Sequence, residues 1–547
     1  MIPSSRRLEL VLALVIFSIA STIAFYQLGA RHFWVVDHEA RAALAARDID
    51  RGFSGVQELA PYPVAYPAFP TMMAAIFHIS GHQDEYTARL LPAALSLGSL
   101  VVTGLAAAAL YGPLGGVFAA GVLSTSFLFS FFARSAAPDM AVNFFSSLAF
   151  LAFVHGVKSG KRGWIWLFWL ILGFCFHTGG AAVVAVPLGG LIFAAHRGRL
   201  GPRGVGEVID AVGILLFLVV IFPGLVHLRN FPAPVILWEE SASPAEAIMG
   251  FALGLLLFFP WVFALPATLR AQLAQGDKLG MAAMEFLAGA LMAGLLFAFA
   301  GFSHPLPLHA PMALLVAGFI LHSQRWALDP TDTEGLWTAP LISHVIIIVP
   351  LVVFVGVSIL PVWSPAAPFP PRLSFMALLA AVYISHKSMS RFAQRGETWG
   401  IWTAAIVSSF SFLLYFHGAI APSLNRSMSH KVFYHQAADF MGDLARLYFY
   451  RFDSAQARFY LDVKPRLAVD QAQLSRILDQ EKTGEGAFYF LTDGRGKPDI
   501  DKAMQGASFA APQFIDSYFV PLTAAREEQR LYILQGRSQE TRLGSRP

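Results

Sequence analysis

The chain has 547 residues, of which 56% are hydrophobic and only 14% charged, with a formal net charge of +4. That composition excludes an ordinary soluble globule and describes a polytopic membrane protein, and because the Lys and Arg residues sit in short loops between apolar runs, no nucleic-acid partner is implied. The single cysteine, Cys175, lies inside an apolar run, which excludes an intrachain disulfide framework and a multi-cysteine metal site.

The N-terminus, MIPSSRRLELVLALVIFSIASTIAFYQLGA, has the positive flank of a signal peptide. Its apolar stretch is about 20 residues, long enough to span, so it is read as a retained first helix. With that ruler, spans are expected near 8–28, 87–111, 114–132, 138–157, 164–176, 178–196, 206–228, 247–269, 280–301, 306–323, 339–361, 372–388 and 399–421, about thirteen in all. The shorter piece PTMMAAIFHISG, near 70–81, is an interfacial or re-entrant helix. Lys158, Lys161, Arg162, Arg197, Arg199, Arg203, Arg270, Lys278, Arg325, Lys387, Arg391 and Arg395 then fall on one side, the cytoplasmic one by the positive-inside rule. An odd number of spans puts the C-terminal segment outside.

After about Ser423 the apolar runs stop. LARLYFYRF, DSAQARFYLD, PRLAV, DQAQLSRILDQ and GAFYFLTDG alternate strand-like and helix-like patterns, as in a small α/β domain. The expected fold class is therefore a membrane all-α helical bundle over 1–422, with an outer loop near 29–86, and a small extracytoplasmic α/β domain over 423–547.

Three polar clusters share the outer face of this topology. Asp37, Glu39 and Arg41 lie in the charged stretch Trp34–Gly52, which follows the first span. Arg134 precedes a span that opens with Pro138 and Asp139, and His304 and His309 flank the start of another. Each has a plain structural reading too. Asp37 fits a helix cap and an i,i+4 partner of Arg41, Pro138–Asp139 is a favourable helix start, and an interfacial histidine needs no catalytic role.

The order of these segments resembles the GT-C superfamily of membrane glycosyltransferases, in the branch of the protein O-mannosyltransferases and the lipid A aminoarabinose transferase. DHEAR at 37–41 is similar to a D-E-x-R motif, ARLLPAAL at 88–95 to an A-R-L-P segment, and RSAAPDM at 134–140 to R-x-x-x-P-D-M. FFPWVFALPA at 258–267 is similar to a Pro-Trp segment, and SHPLPLHAP at 303–311 stands in place of K-L-P-x-Y-x-L-P. His38 occupies the position of the motif's Asp, so the base is Asp37 by a one-residue shift, or else Glu39. Lysines that the resemblance places near Tyr66, near Thr178 and at His304 are absent.

The resemblance implies transfer of a sugar from a polyprenyl-phosphate donor to a hydroxyl of a glycan, lipid or protein acceptor. It assigns catalysis to Asp37, Glu39 and Asp139, and substrate binding to Arg41, Arg134, His304 and Tyr66. Neither cofactor nor metal is expected, since no nucleotide-binding glycine loop and no metal-ligand spacing is present. The competing classes are a transporter or flippase and a non-catalytic assembly scaffold.

Overall fold

The computed structural model describes residues 6–33, 38–53, 66–198, 209–229, 243–275, 278–301, 305–327, 341–353, 372–425, 429–441, 446–451, 454–462, 466–468, 470–481, 487–506, 513–516 and 531–537. They form two compact units. One takes Met1–Gly29, Ala45–Ile359 and Pro370–Ile420, and the other takes Ala30–Leu44, Leu360–Phe369 and Ala421–Pro547.

The first unit is helical, in the order α1 (Arg6–Phe25), α2 (His38–Phe53, which begins in the second unit), α3 (Ala68–Ser80), α4 (Glu85–Tyr111), α5 (Pro113–Ser124), α6 (Phe127–Ala133), α7 (Asp139–Ser159), α8 (Arg162–His196), α9 (Ala211–Leu228), α10 (Pro244–Leu256), α11 (Leu265–Gln275), α12 (Lys278–Phe299) and α13 (His309–Ala327). Then come α14 (Leu341–Val353), α15 (Arg372–Gln394) and α16 (Thr398–Tyr415), the last continuing as a π-helical turn over Phe416–Ile420. Among the described residues, seven helices are long and apolar enough to cross a membrane, or nine if each of two bent pairs is one span. The runs expected near 164–176 and 178–196 join in α8, a 35-residue element that leaves helical geometry at Gly179 and Gly180. Gly180, at φ 75°, supplies a left-handed backbone that a side chain would resist.

Helices α8 and α12 approach until their backbones nearly touch. A methyl on Gly289 would lie 2.4 Å from the Gly189 carbonyl oxygen, and one on Gly189 would lie 2.8 Å from that of Gly289. Small residues do this work where lipid supplies no hydrophobic drive between helices.

Two expected single spans are broken. The axis bends by 74° between α5 and α6, and by 79° between α10 and the Trp261–Leu273 helix. A break in apolar surroundings exposes unpaired N–H and C=O groups, which are tolerated only if protein satisfies them. Here the breaks satisfy each other. The first amides of α6, Phe127 and Leu128, donate to the carbonyls of Phe259 (2.9 Å) and Leu257 (3.0 Å) beyond the end of α10. Trp261 Nε1 donates to Thr125 Oγ1 at 2.8 Å. His309, fully buried at the start of α13, reaches the Gly254 carbonyl through Nε2 (3.1 Å) and Ser126 Oγ through Nδ1 (3.4 Å).

In the second unit, α17 (Lys431–Met441), β1 (Leu447–Tyr450), α18 (Ala455–Leu461), β2 (Arg466–Ala468), α19 (Gln471–Glu481), β3 (Ala487–Asp493), α20 (Lys497–Gly506), β4 (Gln513–Asp516) and β5 (Leu531–Arg537) form a sheet with flanking helices. The strand order is β2-β1-β3-β5-β4, with β1 parallel to β2 and β3, and β5 antiparallel to β3 and β4. All of Leu447–Tyr450 is buried because both faces of β1 are covered. Leu447 and Phe449 pack with Phe433 and Tyr434 of α17 and with Leu461 of α18. Tyr448 and Tyr450 turn to the other face, against Leu474 and Leu478 of α19 and Ile500 and Met504 of α20.

His430, just before α17, is buried, and burial pushes its imidazole down from 6.5 to about 4. The unfolded chain therefore takes up this proton first as pH falls, so the stability carried by the neutral ring is complete above about pH 6.5 and is lost towards about pH 4. Amide exchange in α17 is expected to report a loss of about 3 kcal/mol across that window. His430→Gln should flatten the profile; an equally steep profile in the variant would trace the loss to other groups.

Candidate active site

The sequence-derived residues fall in both units. In the first, α1 ends at Phe25, and the carbonyls of its last turn form the negative end of the helix dipole. Two buried arginines meet that end. Arg134, the C-cap residue of α6, donates from Nη1 to the Ile23 carbonyl and from Nη2 to the Gln27 carbonyl at 3.1 Å. Arg89, with no solvent exposure, donates from Nη1 to the Leu28 carbonyl at 3.2 Å. Gln27 itself is held at φ 49°, a conformation a non-glycine residue adopts at a cost. The arginines of ARLLPAAL and RSAAPDM, separate in sequence, thus fix one helix end.

Five residues after Arg134, Asp139 opens α7 behind Pro138, as the sequence predicts. Its half-buried carboxylate has no hydrogen bond or ion pair among the described residues. One turn on, Asn143 is fully buried with neither amide atom bonded. A carboxylate and an amide on one face of a helix start are thereby left for other groups to meet.

Tyr66 is buried with its ring edge-on to Phe176, centroids 6.1 Å apart. It therefore lies beside the segment ending in Thr178, another position where the resemblance implies a lysine. His304 lies outside the described residues. Sequence reasoning passed over Arg89, although it sits inside a quoted motif, and Asn143. It also missed His417 of the π-helical turn, whose Nε2 lies 2.8 Å from Ser130 Oγ. Nothing local marks His417 beyond its place at the end of an apolar run.

In the second unit, Glu39 is buried in the first turn of α2, and its Oε1 accepts from Arg31 Nη2 at 2.9 Å, with both side chains under 10% exposed. Arg41 is half-buried on the same helix. Asp37 lies outside the described residues, but the chain before it is held firmly. Asn425 donates from Nδ2 to the Ala30 carbonyl (2.7 Å), and its Oδ1 accepts from the His32 amide (3.0 Å). The Phe33 amide donates to Tyr460 Oη at 3.0 Å, and the buried Phe33 ring meets Phe459 edge-on at 5.0 Å. Among the described residues, no group of three His, Cys, Asp or Glu side chains could hold a metal ion.

The sequence matches the family model described as dolichyl-phosphate-mannose-protein mannosyltransferase over residues 62–227. No curated protein is a match. Among solved structures, the chain is similar to ArnT from Cupriavidus metallidurans in the apo state, with 16% identity and a TM-score of 0.69 over 95% of this chain and 97% of that one. It is similar also to ArnT from Cupriavidus metallidurans bound to undecaprenyl phosphate, with 17% identity and a TM-score of 0.67 over the same shares. ARLLPAAL and RSAAPDM lie within the residues that match the family model, and the fold of this chain is that of the ArnT structures.

Proposed function

We propose that this protein is an integral membrane glycosyltransferase that moves a sugar from a polyprenyl-phosphate donor to an acceptor hydroxyl at the outer face of the cytoplasmic membrane. The observation that carries the reading is the meeting of Arg89 and Arg134 at the end of α1, because it joins in space two motif segments that the resemblance had joined only by order. In the reaction, the acceptor oxygen bonds to the anomeric carbon, the bond from that carbon to the phosphate oxygen breaks, and the polyprenyl phosphate leaves with the electron pair. The acceptor proton passes to a carboxylate. Arg41 and Arg134 stabilise the departing phosphate by charge-assisted hydrogen bonds, with Tyr66 and His304 completing the donor's surroundings. The C-terminal segment lies on the outer side.

Asp37 is the base in this reading, and Asp139 the second carboxylate. The ion pair to Arg31 favours Asp37 over Glu39, because an oxygen already committed to a buried guanidinium is poorly disposed to accept a proton. The family model for a lipid-phosphate-sugar transferase and the undecaprenyl phosphate in the ArnT structure support a lipid-linked donor. A transporter uses the freed backbone groups of broken helices to hold its cargo. Here several of those groups bond across the two breaks, which favours a transferase.

Asp37→Asn is expected to lose about 10²–10⁴-fold in transfer rate with its folding intact. Glu39→Gln is expected to lose about 3 kcal/mol or more of stability by leaving Arg31 with a weakened partner. A normal rate in Asp37→Asn with a dead, well-folded Glu39→Gln would make Glu39 the base; full activity in both would end the mechanism. For Arg134→Lys, donor affinity should fall about tenfold or more, since a point charge does not reproduce the planar fork. Unchanged affinity with a lowered melting temperature would confine Arg134 to the end of α1. A reporter active only in the cytoplasm, fused after Pro547, is expected to stay silent, and a strong signal would reverse the topology.

A further inference from the structure

The helices of this bundle commonly satisfy a buried hydroxyl by bonding it back to the preceding turn. Ser99 donates to the Leu95 carbonyl (3.0 Å), Thr268 to that of Ala264 (2.8 Å) and Ser409 to that of Ala405 (2.9 Å). Helix α7 departs from this habit. Among the described residues, both amide atoms of Asn143 and the hydroxyls of Ser146 and Ser147 are buried without a hydrogen-bond partner. With Asp139 they follow the i, i+4, i+7, i+8 spacing and so form one polar row along the helix. The row points into the bundle. On one flank Val142 faces α8, 3.7 Å from where a methyl on Gly179 would lie, and on the other Phe144 packs over Gly98 of α4. Phe150, two turns beyond Asn143 on the same side, meets Phe286 of α12 with centroids 5.0 Å apart.

A buried amide with no partner weakens the folded state, and a leucine would fill the same space without that cost. A ligand that supplies the missing bonds accounts for the asparagine, and the chemistry of the row selects among ligands. An amide both donates and accepts, and a carboxylate accepts. A phosphate only accepts, and the Asp139 carboxylate repels it. A sugar hydroxyl donates and accepts, so it bonds to Asp139 and Asn143 alike. Side chains four positions apart on a helix stand about 5–6 Å apart at Cβ, close to the width of one sugar ring.

We infer that the start of this row, Asp139 and Asn143, is the subsite for the sugar ring of the lipid-linked donor, and that Asn143 selects among sugars by bonding a ring hydroxyl. The inference rests on the reading of the protein as a polyprenyl-phosphate-sugar transferase. In the free protein the amide is closed in and its bonds are unmet; the arriving hydroxyl restores them.

The test measures binding to the full-length protein in lipid nanodiscs, with bare polyprenyl phosphate and with polyprenyl phosphates carrying mannose, glucose or arabinose. Asn143→Leu keeps the volume and removes the polar atoms, and Asn143→Ala keeps the test decisive should leucine not fit. Both variants should bind the preferred sugar-bearing lipid about tenfold more weakly than wild type, the worth of one hydrogen bond, and bare polyprenyl phosphate as wild type does. Without ligand, Asn143→Leu should melt at a higher temperature than wild type, and it should gain less from the sugar-bearing lipid. Removing the hydroxyls of that sugar one at a time should find one whose loss weakens binding to wild type and costs Asn143→Leu almost nothing further. Wild-type affinity for the sugar-bearing lipid in both variants, with only the melting temperature moved, would reduce the row to a bed for buried water and overturn the inference. An equal loss for bare and sugar-bearing lipid would overturn it too. A wild-type protein that binds none of the sugar-bearing lipids more tightly than the bare one overturns instead the donor reading beneath it.

Discussion

A helix that ends where water is scarce must hand its last carbonyls to some donor, and the end of α1 sets that condition for this protein. The Ile23 carbonyl of its last turn and the Gln27 and Leu28 carbonyls just beyond it are met by guanidinium groups from α4 and from the turn between α6 and α7. Arginine suits the task because its donors fan out in a plane and keep their charge when buried. The result is a fixed exit for the chain just before the residues that carry the candidate chemistry. The same turn delivers Pro138 and Asp139 to the start of α7, so the arginine that secures one helix end also sets where the next begins.

The second unit applies the same logic with different groups. The chain at Ala30–Phe33 has side-chain partners in place of a neighbouring strand, and Glu39 shares burial with Arg31. A buried ion pair of this sort adds little net stability, but removing one partner is costly. It serves better as a register mark than as a source of stability, since only one placement of α2 brings Glu39 to Arg31.

What the sequence revealed depended on how local the signal was. Long apolar runs located α4 and α7 to within two residues, because composition and length decide a span and Pro138–Asp139 marks a start. The breaks after α5 and α10 were not visible. The apolar pattern continues through both, and only Ser124–Ser126 and Pro260 hinted at an interruption. The sequence reading divided one run into two at residue 177, and the structure keeps both halves in a single element that departs from helical geometry slightly later, at Gly179 and Gly180. The candidate site was legible as a set of segments but not as a set of contacts. Arg134 was read as a phosphate ligand, and its bonds to Ile23 and Gln27 could be found only once α1 and α6 were brought together. The grip of Asn425 on Ala30 and His32 has no local sign at all, since an asparagine after an apolar run reads as a cap or a turn.

The bonding between the two breaks bears on how the chain is made. Thr125 precedes its indole partner Trp261 by 136 positions. When α5 and α6 leave the ribosome, the carbonyls of Leu257 and Phe259 do not yet exist. In hydrocarbon, an amide without an acceptor is costly. Until the second break is made, the amides of Phe127 and Leu128 lack the acceptors they have in the finished fold, so the two breaks are complete only as a couple, synthesised apart and buried together.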